Sequence, residues 1–178
     1  MGGNAKIVSE SCIRRFDLLM VLVLLGTQNN SFHRLLQEVQ TCIDNKIIND
    51  KVIVQAGNTK FESNDMEIFD LIPQVKFNEL LNSADIIITH GGVGSILNAV
   101  KLDKKVIAVP RLKKYNEHVN DHQIQIVETF SKQNYIKGVI DLNRLGEVLK
   151  NISFFSPTKY ESNTENIISI IKEYINNN

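Results

Sequence analysis

Apolar runs and amphipathic stretches alternate along the chain. Runs rich in β-branched and aliphatic residues predict buried strands at residues 20–25, 51–55, 85–89, 105–109 and 135–140. The run at residues 85–89 shows no polar alternation, as is typical of a strand covered on both faces of a parallel sheet. A further stretch, residues 65–72, is ambiguous and could hold a short strand that stops at Pro73.

The segments between these runs carry apolar residues at helical spacing. They predict helices at residues 32–43, 77–84, 95–100, 121–132, 142–150 and 164–175. Ser31 and Asp141 are placed as N-caps of two of them. Because strands and helices alternate so regularly, the sequence predicts an α/β fold with a doubly wound parallel sheet, which is a Rossmann-like architecture.

The length of 178 residues fits one domain with a single core, which we predict at residues 20–178. Residues 1–19 lack the continuous apolar core and cleavage site of a signal peptide, and we interpret them as an N-terminal extension or an added leader. The apolar run at residues 18–25 is too short for a bilayer, which needs roughly 20 residues, and is therefore interpreted as a buried strand.

The strand at residues 85–89 leads directly into His90-Gly91-Gly92-Val93-Gly94-Ser95 and then into a predicted helix. A strand, a glycine turn and a helix N-terminus form a phosphate-binding layout, because backbone N–H groups and the positive end of the helix dipole face the same anion. The alternative is a tight connection without a ligand. In a doubly wound sheet this turn would meet the polar loops at residues 26–31, 57–58 and 111–123 at the carboxyl edge, where ligands bind.

The loop Gly26-Thr27-Gln28 follows the first predicted strand, so its amides and the Thr27 hydroxyl could contact a phosphate or a sugar. An ordinary strand-to-helix turn explains the same residues equally well. GTQNNS lacks the second and third glycines of the dinucleotide fingerprint, which argues against a nicotinamide enzyme. The chain also has no P-loop and no GxSxG nucleophile elbow.

The segment NEHVNDHQ, residues 116–123, places seven hydrogen-bonding side chains in eight positions. Amides and carboxylates can donate to and accept from neighbouring sugar hydroxyls, so the segment is suited to sugar recognition. Asn120 or Asp121 could instead only cap the following helix. His118 and His122 have the i, i+4 spacing of zinc helices, but neither an HExxH motif nor a third ligand accompanies them, and we predict no metal site.

Composition narrows the function further. Lys plus Arg and Asp plus Glu both total 20, so no basic field predicts a nucleic-acid partner. Cys12 and Cys42 form no metal or disulfide pattern and are interpreted as apolar filler in a reducing compartment. We interpret Arg111, Lys113 and Lys114 as a solvated rim that could also attract a diphosphate.

The stretches THGGVGSILNAV, KKVIAVPR and NEHVNDHQ together resemble the C-terminal, donor-binding half of GT-B glycosyltransferases. Similar proteins are the lipid II-forming N-acetylglucosaminyltransferase and the catalytic subunit of the dolichol-linked N-acetylglucosaminyltransferase. NEHVNDHQ most resembles the small subunit of two-part bacterial capsular and exopolysaccharide glycosyltransferases. The resemblance covers roughly residues 20–140.

The resemblance implies a UDP-sugar donor, inversion at the anomeric carbon, no cofactor and no obligatory metal. By the same resemblance, one group of residues lines the diphosphate cleft, another forms the turn under the nucleotide, and a third contacts the donor sugar. These groups are Gly26, Thr27 and Gln28; His90, Gly91, Gly92, Gly94 and Ser95; and Glu117, Asp121, His122 and Gln123. Asn98 stands where several relatives carry a ribose-binding glutamate, so that contact is weakened or remade.

A GT-B cleft lies between two such domains, so the resemblance implies a membrane-anchored, acceptor-binding partner subunit and a lipid-linked saccharide acceptor. The predicted activity is hexosyl transfer, β-1,4-galactosyl or related, in polysaccharide biosynthesis at the cytoplasmic face of the cell membrane. The catalytic base is unassigned and could lie on the partner. A non-catalytic nucleotide-sugar-binding or scaffold subunit is the alternative. The helix at residues 164–175 could dock the partner or pack on its own domain.

Overall fold

A computed structural model describes residues 19–161 of the chain. Its six strands form one sheet in the order β3-β2-β1-β4-β5-β6, and every pair of neighbours is parallel. The strands are β1 (Met20–Leu24), β2 (Lys51–Gln55), β3 (Met66–Phe69), β4 (Ile86–His90), β5 (Lys105–Val109) and β6 (Lys137–Gly138). The helices are α1 (His33–Asp44), α2 (Gln74–Ser83), α3 (Val93–Val100), α4 (His122–Lys132) and α5 (Leu145–Asn151). The predicted doubly wound sheet is confirmed.

The strand order reverses between the adjacent strands β1 and β4, so the topological switch point lies at their carboxyl ends. Alternate side chains of β1 enter two apolar layers, because successive residues of a strand point to opposite faces. Val21 and Val23 pack with α1 and α5, whereas Leu22 and Leu24 pack with α2, α3 and α4. This two-sided burial explains why the central strands are continuous apolar runs.

Several predicted boundaries differ from the structure. Phe32, not Ser31, occupies the N-cap position of α1, and its amide donates to Thr59 Oγ1 at 2.8 Å, so a distant hydroxyl replaces the local cap. The last strand shrinks to two residues at the sheet edge, where Lys137 and Gly138 are exposed. Asp141 accepts from Asn143 N as a cap, but it opens a 3-10 turn that precedes α5.

Other features agree with the sequence or lie beyond the described part. Cys42 is buried in the core, and burial raises the pKa of its thiol to about 11, so it is an inert apolar side chain as predicted. Cys12, most of the predicted leader and the predicted helix at residues 164–175 lie outside the described residues. Within residues 19–161 no helix combines the length and apolarity needed to cross a membrane.

Candidate functional site

The turns after β1 and β4 meet at the switch point and pack on one imidazole. Gly26 has φ of 77°, a left-handed conformation that favours glycine, and an added Cβ would lie 2.7 Å from His90 Cε1. A Cβ on Gly92 would overlap His90 Nε2 from the other turn, and one on Gly57 would overlap the Gly26 carbonyl oxygen. At Gly26, Gly57 and Gly92 the close packing of the loops therefore leaves no room for a side chain.

His90 is buried and holds a defined tautomer. Its Nδ1 lies 3.3 Å from the Leu24 carbonyl oxygen, which can only accept, so Nδ1 carries the proton and Nε2 is an acceptor. Burial, together with the nearby charge of Arg111, lowers the pKa of His90 to about 4, although the Leu24 hydrogen bond opposes that shift. The imidazole is therefore neutral at physiological pH and supplies no positive charge to an anion.

The start of α3 offers backbone donors at the same edge. The first helical hydrogen bond runs from Ile96 N to Gly92 O at 3.1 Å, so the amides of Val93, Gly94 and Ser95 have no acceptor within the helix. Gly94 is exposed and Ser95 half-buried, and Asn98 is exposed one turn further along α3. The structure thus brings the predicted turn residues to an open helix N-terminus that suits an anion.

Thr27 and Gln28 lie exposed beside this turn and line a cleft of about 330 Å³ with His118 and Val119. Gln28 Nε2 lies 3.0 Å from His118 Nε2, which joins the loop after β1 to the loop after β5. The His122 ring is exposed and packs edge-on against the His118 ring, with centroids 4.7 Å apart. Thr27 and Gln28 therefore line one polar cleft, and His122 contacts it only through the ring of His118.

Three other predicted sugar-contacting residues hold the loop after β5 in place. The buried Glu117 carboxylate accepts from Arg34 Nε at 2.7 Å and from Leu112 N at 2.9 Å. Gln123 is buried, and its Oε1 accepts from Arg111 N at 3.0 Å. Asp121 Oδ1 accepts from Lys113 N at 2.8 Å. Hydrogen-bonding residues predicted to face a sugar thus bond the backbone in this structure.

The interpretation of Arg111 as a solvated rim residue is wrong. Its side chain is fully buried, and its guanidinium donates to the Asn30, Leu25 and Glu117 carbonyl oxygens. Only Lys113 and Lys114 of that trio are exposed. Three further residues that the sequence did not single out, Arg34, Asn30 and Asn58, connect these loops. Asn30 and Asn58 are polar residues of loops that follow strands, which was the available signal, whereas Arg34 lies in the first turn of α1 and had none.

A larger cleft, about 760 Å³, lies on the α1 side of the loop after β5. Of the predicted site residues, within the part of the chain that the structure describes, only Asp121 lines it. Among residues 19–161 no three His, Cys, Asp or Glu side chains are grouped so as to hold a metal ion.

Comparisons with known proteins agree with this architecture. A UDP-N-acetylglucosamine transferase subunit ALG13 from Candida albicans is 32% identical over 79 residues, which are 44% of this chain and 26% of that protein. The chain therefore spans about a quarter of that relative's length. The kitacinnamycin glycotransferase structure superposes with a TM-score of 0.56 at 19% identity, covering 86% of this chain and 38% of that one. The ALG13 solution structure superposes with a TM-score of 0.53 at 16% identity, covering 81% of this chain and 90% of that one.

The structural matches confirm the predicted fold, that of the C-terminal half of a GT-B glycosyltransferase. The sequence profile of the glycosyltransferase family 28 C-terminal domain matches residues 20–177, which is most of the chain. The chain belongs to the glycosyltransferase family 28 C-terminal domain family.

Proposed function

We propose that the chain is the donor-binding, catalytic subunit of an inverting glycosyltransferase that uses a UDP-sugar. The observation that carries this proposal is the meeting of the Gly26–Gln28 turn and the α3 N-terminus around His90 at the switch point. Ligands of open α/β sheets bind at such a point. The C. albicans relative is named as a UDP-N-acetylglucosamine transferase subunit, which supports the same donor class.

The proposed chemistry follows from the groups at this edge. Transfer breaks the bond between the anomeric carbon and the diphosphate oxygen, so negative charge grows on the leaving UDP. The amides of Val93, Gly94 and Ser95 and the dipole of α3 would stabilise that charge, without a metal or another cofactor. The acceptor hydroxyl must lose its proton to a base within hydrogen-bond reach, which we assign to a partner subunit.

The finer proposal is hexosyl transfer, β-1,4-galactosyl or related, to a lipid-linked saccharide in capsular or exopolysaccharide synthesis. A membrane-anchored partner would bind the acceptor and hold this chain at the inner face of the membrane. Two observations support a partner: the family is that of a C-terminal domain, and the ALG13 relative is named as a subunit. The bacterial assignment rests on the resemblance of residues 116–123.

Calorimetry on the full chain, alone and with the co-expressed partner, tests donor binding with UDP-galactose, UDP-glucose and UDP-N-acetylglucosamine. Gln28→Ala removes an amide from the cleft, and we expect roughly tenfold weaker binding from the lost hydrogen bonds. Gln133→Ala is the matched control, because Gln133 is an exposed amide at the C-terminal end of α4, whereas the N-terminal end of α4 lies near the cleft. It should bind as the unmodified chain does.

Transfer to a lipid-linked acceptor is then measured for the same complex. Sugar transfer that requires both subunits would support the proposal. Absence of UDP-sugar binding in both preparations would overturn it. Binding without transfer would overturn the catalytic assignment and indicate the nucleotide-sugar-binding scaffold instead.

A further inference from the structure

The positive charge beneath the candidate diphosphate site comes from a buried arginine. His90 is neutral, and Lys113 and Lys114 are exposed on the loop after β5, where water screens them. Arg111 is only 1% exposed and lies directly under the two loops that form the cleft. The cation that acts on this edge with the least screening is therefore Arg111.

The guanidinium of Arg111 donates hydrogen bonds to both ends of one turn. Its Nη2 donates to the Leu25 carbonyl oxygen at 2.8 Å, and its Nη1 donates to the Asn30 carbonyl oxygen at 2.7 Å. These two carbonyls bracket residues 26–29, the turn that carries Gly26, Thr27 and Gln28. A third bond, from Nη1 to the Glu117 carbonyl oxygen at 3.2 Å, joins this turn to the loop after β5.

The charge of Arg111 is incompletely neutralised. The Glu117 carboxylate forms its ion pair with Arg34, at 2.7 Å, and its second oxygen accepts from Leu112 N. Arg111 also stacks on Phe32, with Cζ 4.8 Å from the ring centre, and its Nε has no hydrogen-bond partner among the described residues. Burial lowers the pKa of Arg111 only to about 10, so the group stays charged at neutral pH.

We propose that Arg111 is a positioning residue for the donor diphosphate. It fixes the shape of the turn at residues 26–29 from below and places a poorly screened positive charge under that turn. A low local dielectric makes such a charge more effective than an exposed one. This inference rests on the proposed donor-binding function and adds the residue that prepares the site.

The test compares ligands that differ only in phosphate number. The full chain and its Arg111→Lys and Arg111→Gln variants are titrated with uridine, UMP and UDP by NMR. We expect uridine affinity to stay within about twofold, since it has no phosphate. UDP affinity should fall roughly tenfold in Arg111→Lys, because lysine keeps the charge but loses the planar set of donors. It should fall further in Arg111→Gln, which loses the charge as well. In each variant the loss of UMP affinity should lie between the losses for uridine and for UDP.

Arg144→Gln is the control, because Arg144 is an exposed arginine paired with Glu147 near α5. It should bind all three ligands as the unmodified chain does. Thermal melting identifies the folded variants, and Arg111→Lys decides the matter if Arg111→Gln does not fold. Equal losses for uridine and UDP, or no loss for UDP, would overturn the inference alone. If the unmodified chain bound no UDP, the proposed function itself would fail.

Discussion

The turn after β4 and the loop after β5 face the same edge of the sheet, but different forces hold them. The β4 turn is short, and glycines at positions 91 and 92 let it pack against Gln123 and His90. The β5 loop spans twelve residues between β5 and α4, and buried polar contacts of Glu117, Arg111 and Gln123 hold it. One segment is fixed by sterics and the other by a charge network.

Close packing and buried polar bonds affect the two segments differently. Close packing makes the β4 turn rigid and keeps His90 away from water, which keeps the imidazole neutral. The Glu117 ion pair connects the β5 loop to Arg34 of α1, and the Asn30 amide donates to the Asn116 carbonyl oxygen, so the loops after β1 and β5 are bonded to each other. Substitutions in each segment should therefore fail in different ways.

The largest effect should come from breaking the charge network. Glu117→Gln removes the negative partner of Arg34 and leaves that half-buried arginine without its ion pair. Breaking a buried pair from one side costs about 3 kcal/mol of unfolding free energy, which urea denaturation measures. Glu147→Gln is the matched control, since its pair with Arg144 is exposed and should leave the unfolding free energy almost unchanged. Equal effects of the two variants would show that the network does not hold the loop.

The two segments also differ in how well the sequence predicts them. β2 and β5 lie where the apolar runs place them, and the glycine turn lies at a helix N-terminus, because these features depend on neighbouring residues. The burial of Arg111 depends on the Leu25 and Asn30 carbonyl oxygens, which are more than 80 positions away. Composition alone assigns an arginine to the surface.

Contacts between residues far apart in the sequence also explain why the predictions for Ser31, Glu117 and Gln123 differ from the structure. Ser31 is a good capping residue, yet the amide at the start of α1 is that of Phe32, and it donates to Thr59, 27 positions further along the chain. Glu117 and Gln123 are typical sugar-binding side chains, but their buried oxygens accept from backbone amides of the same loop. Residue type and spacing predict which loops meet at the edge. They do not predict which polar atoms point outward, because that is decided by long-range packing.

The second largest effect concerns the turn after β4 and is a change in unfolding free energy with pH. His90 has a pKa of about 4 in the folded chain and an ordinary value near 6.5 when unfolded, so the unfolded state binds more protons between these values. Its contribution to stability is therefore present above pH 6.5 and lost as the pH falls toward 4. As the pH falls from 7 to 5, we expect the loss of this contribution to lower the unfolding free energy by about 2 kcal/mol.

Urea denaturation at both pH values measures that loss, and His90→Gln should show a pH dependence smaller by the same amount. Gly91→Ala is the control, because it strains the same turn without changing a titratable group. It should keep the pH dependence of the unmodified chain. An unchanged dependence in His90→Gln would mean that His90 is not held neutral.

The smallest effect is a difference in unfolding free energy between substitutions of two neighbouring glycines, Gly91 in the turn after β4 and Gly94 in α3. A Cβ at position 91 would lie 2.9 Å from Gln123 Cβ and 3.0 Å from Val127 Cγ2, so Gly91→Ala should lower the unfolding free energy by about 1–2 kcal/mol. A Cβ at position 94 meets nothing within 4 Å inside α3, so Gly94→Ala should raise it by about 0.5–1 kcal/mol through helix propensity. Urea denaturation of both variants decides the point. Opposite signs would show that the turn is held by packing at Gly91, whereas two losses of similar size would mean that both glycines are needed for backbone conformation instead.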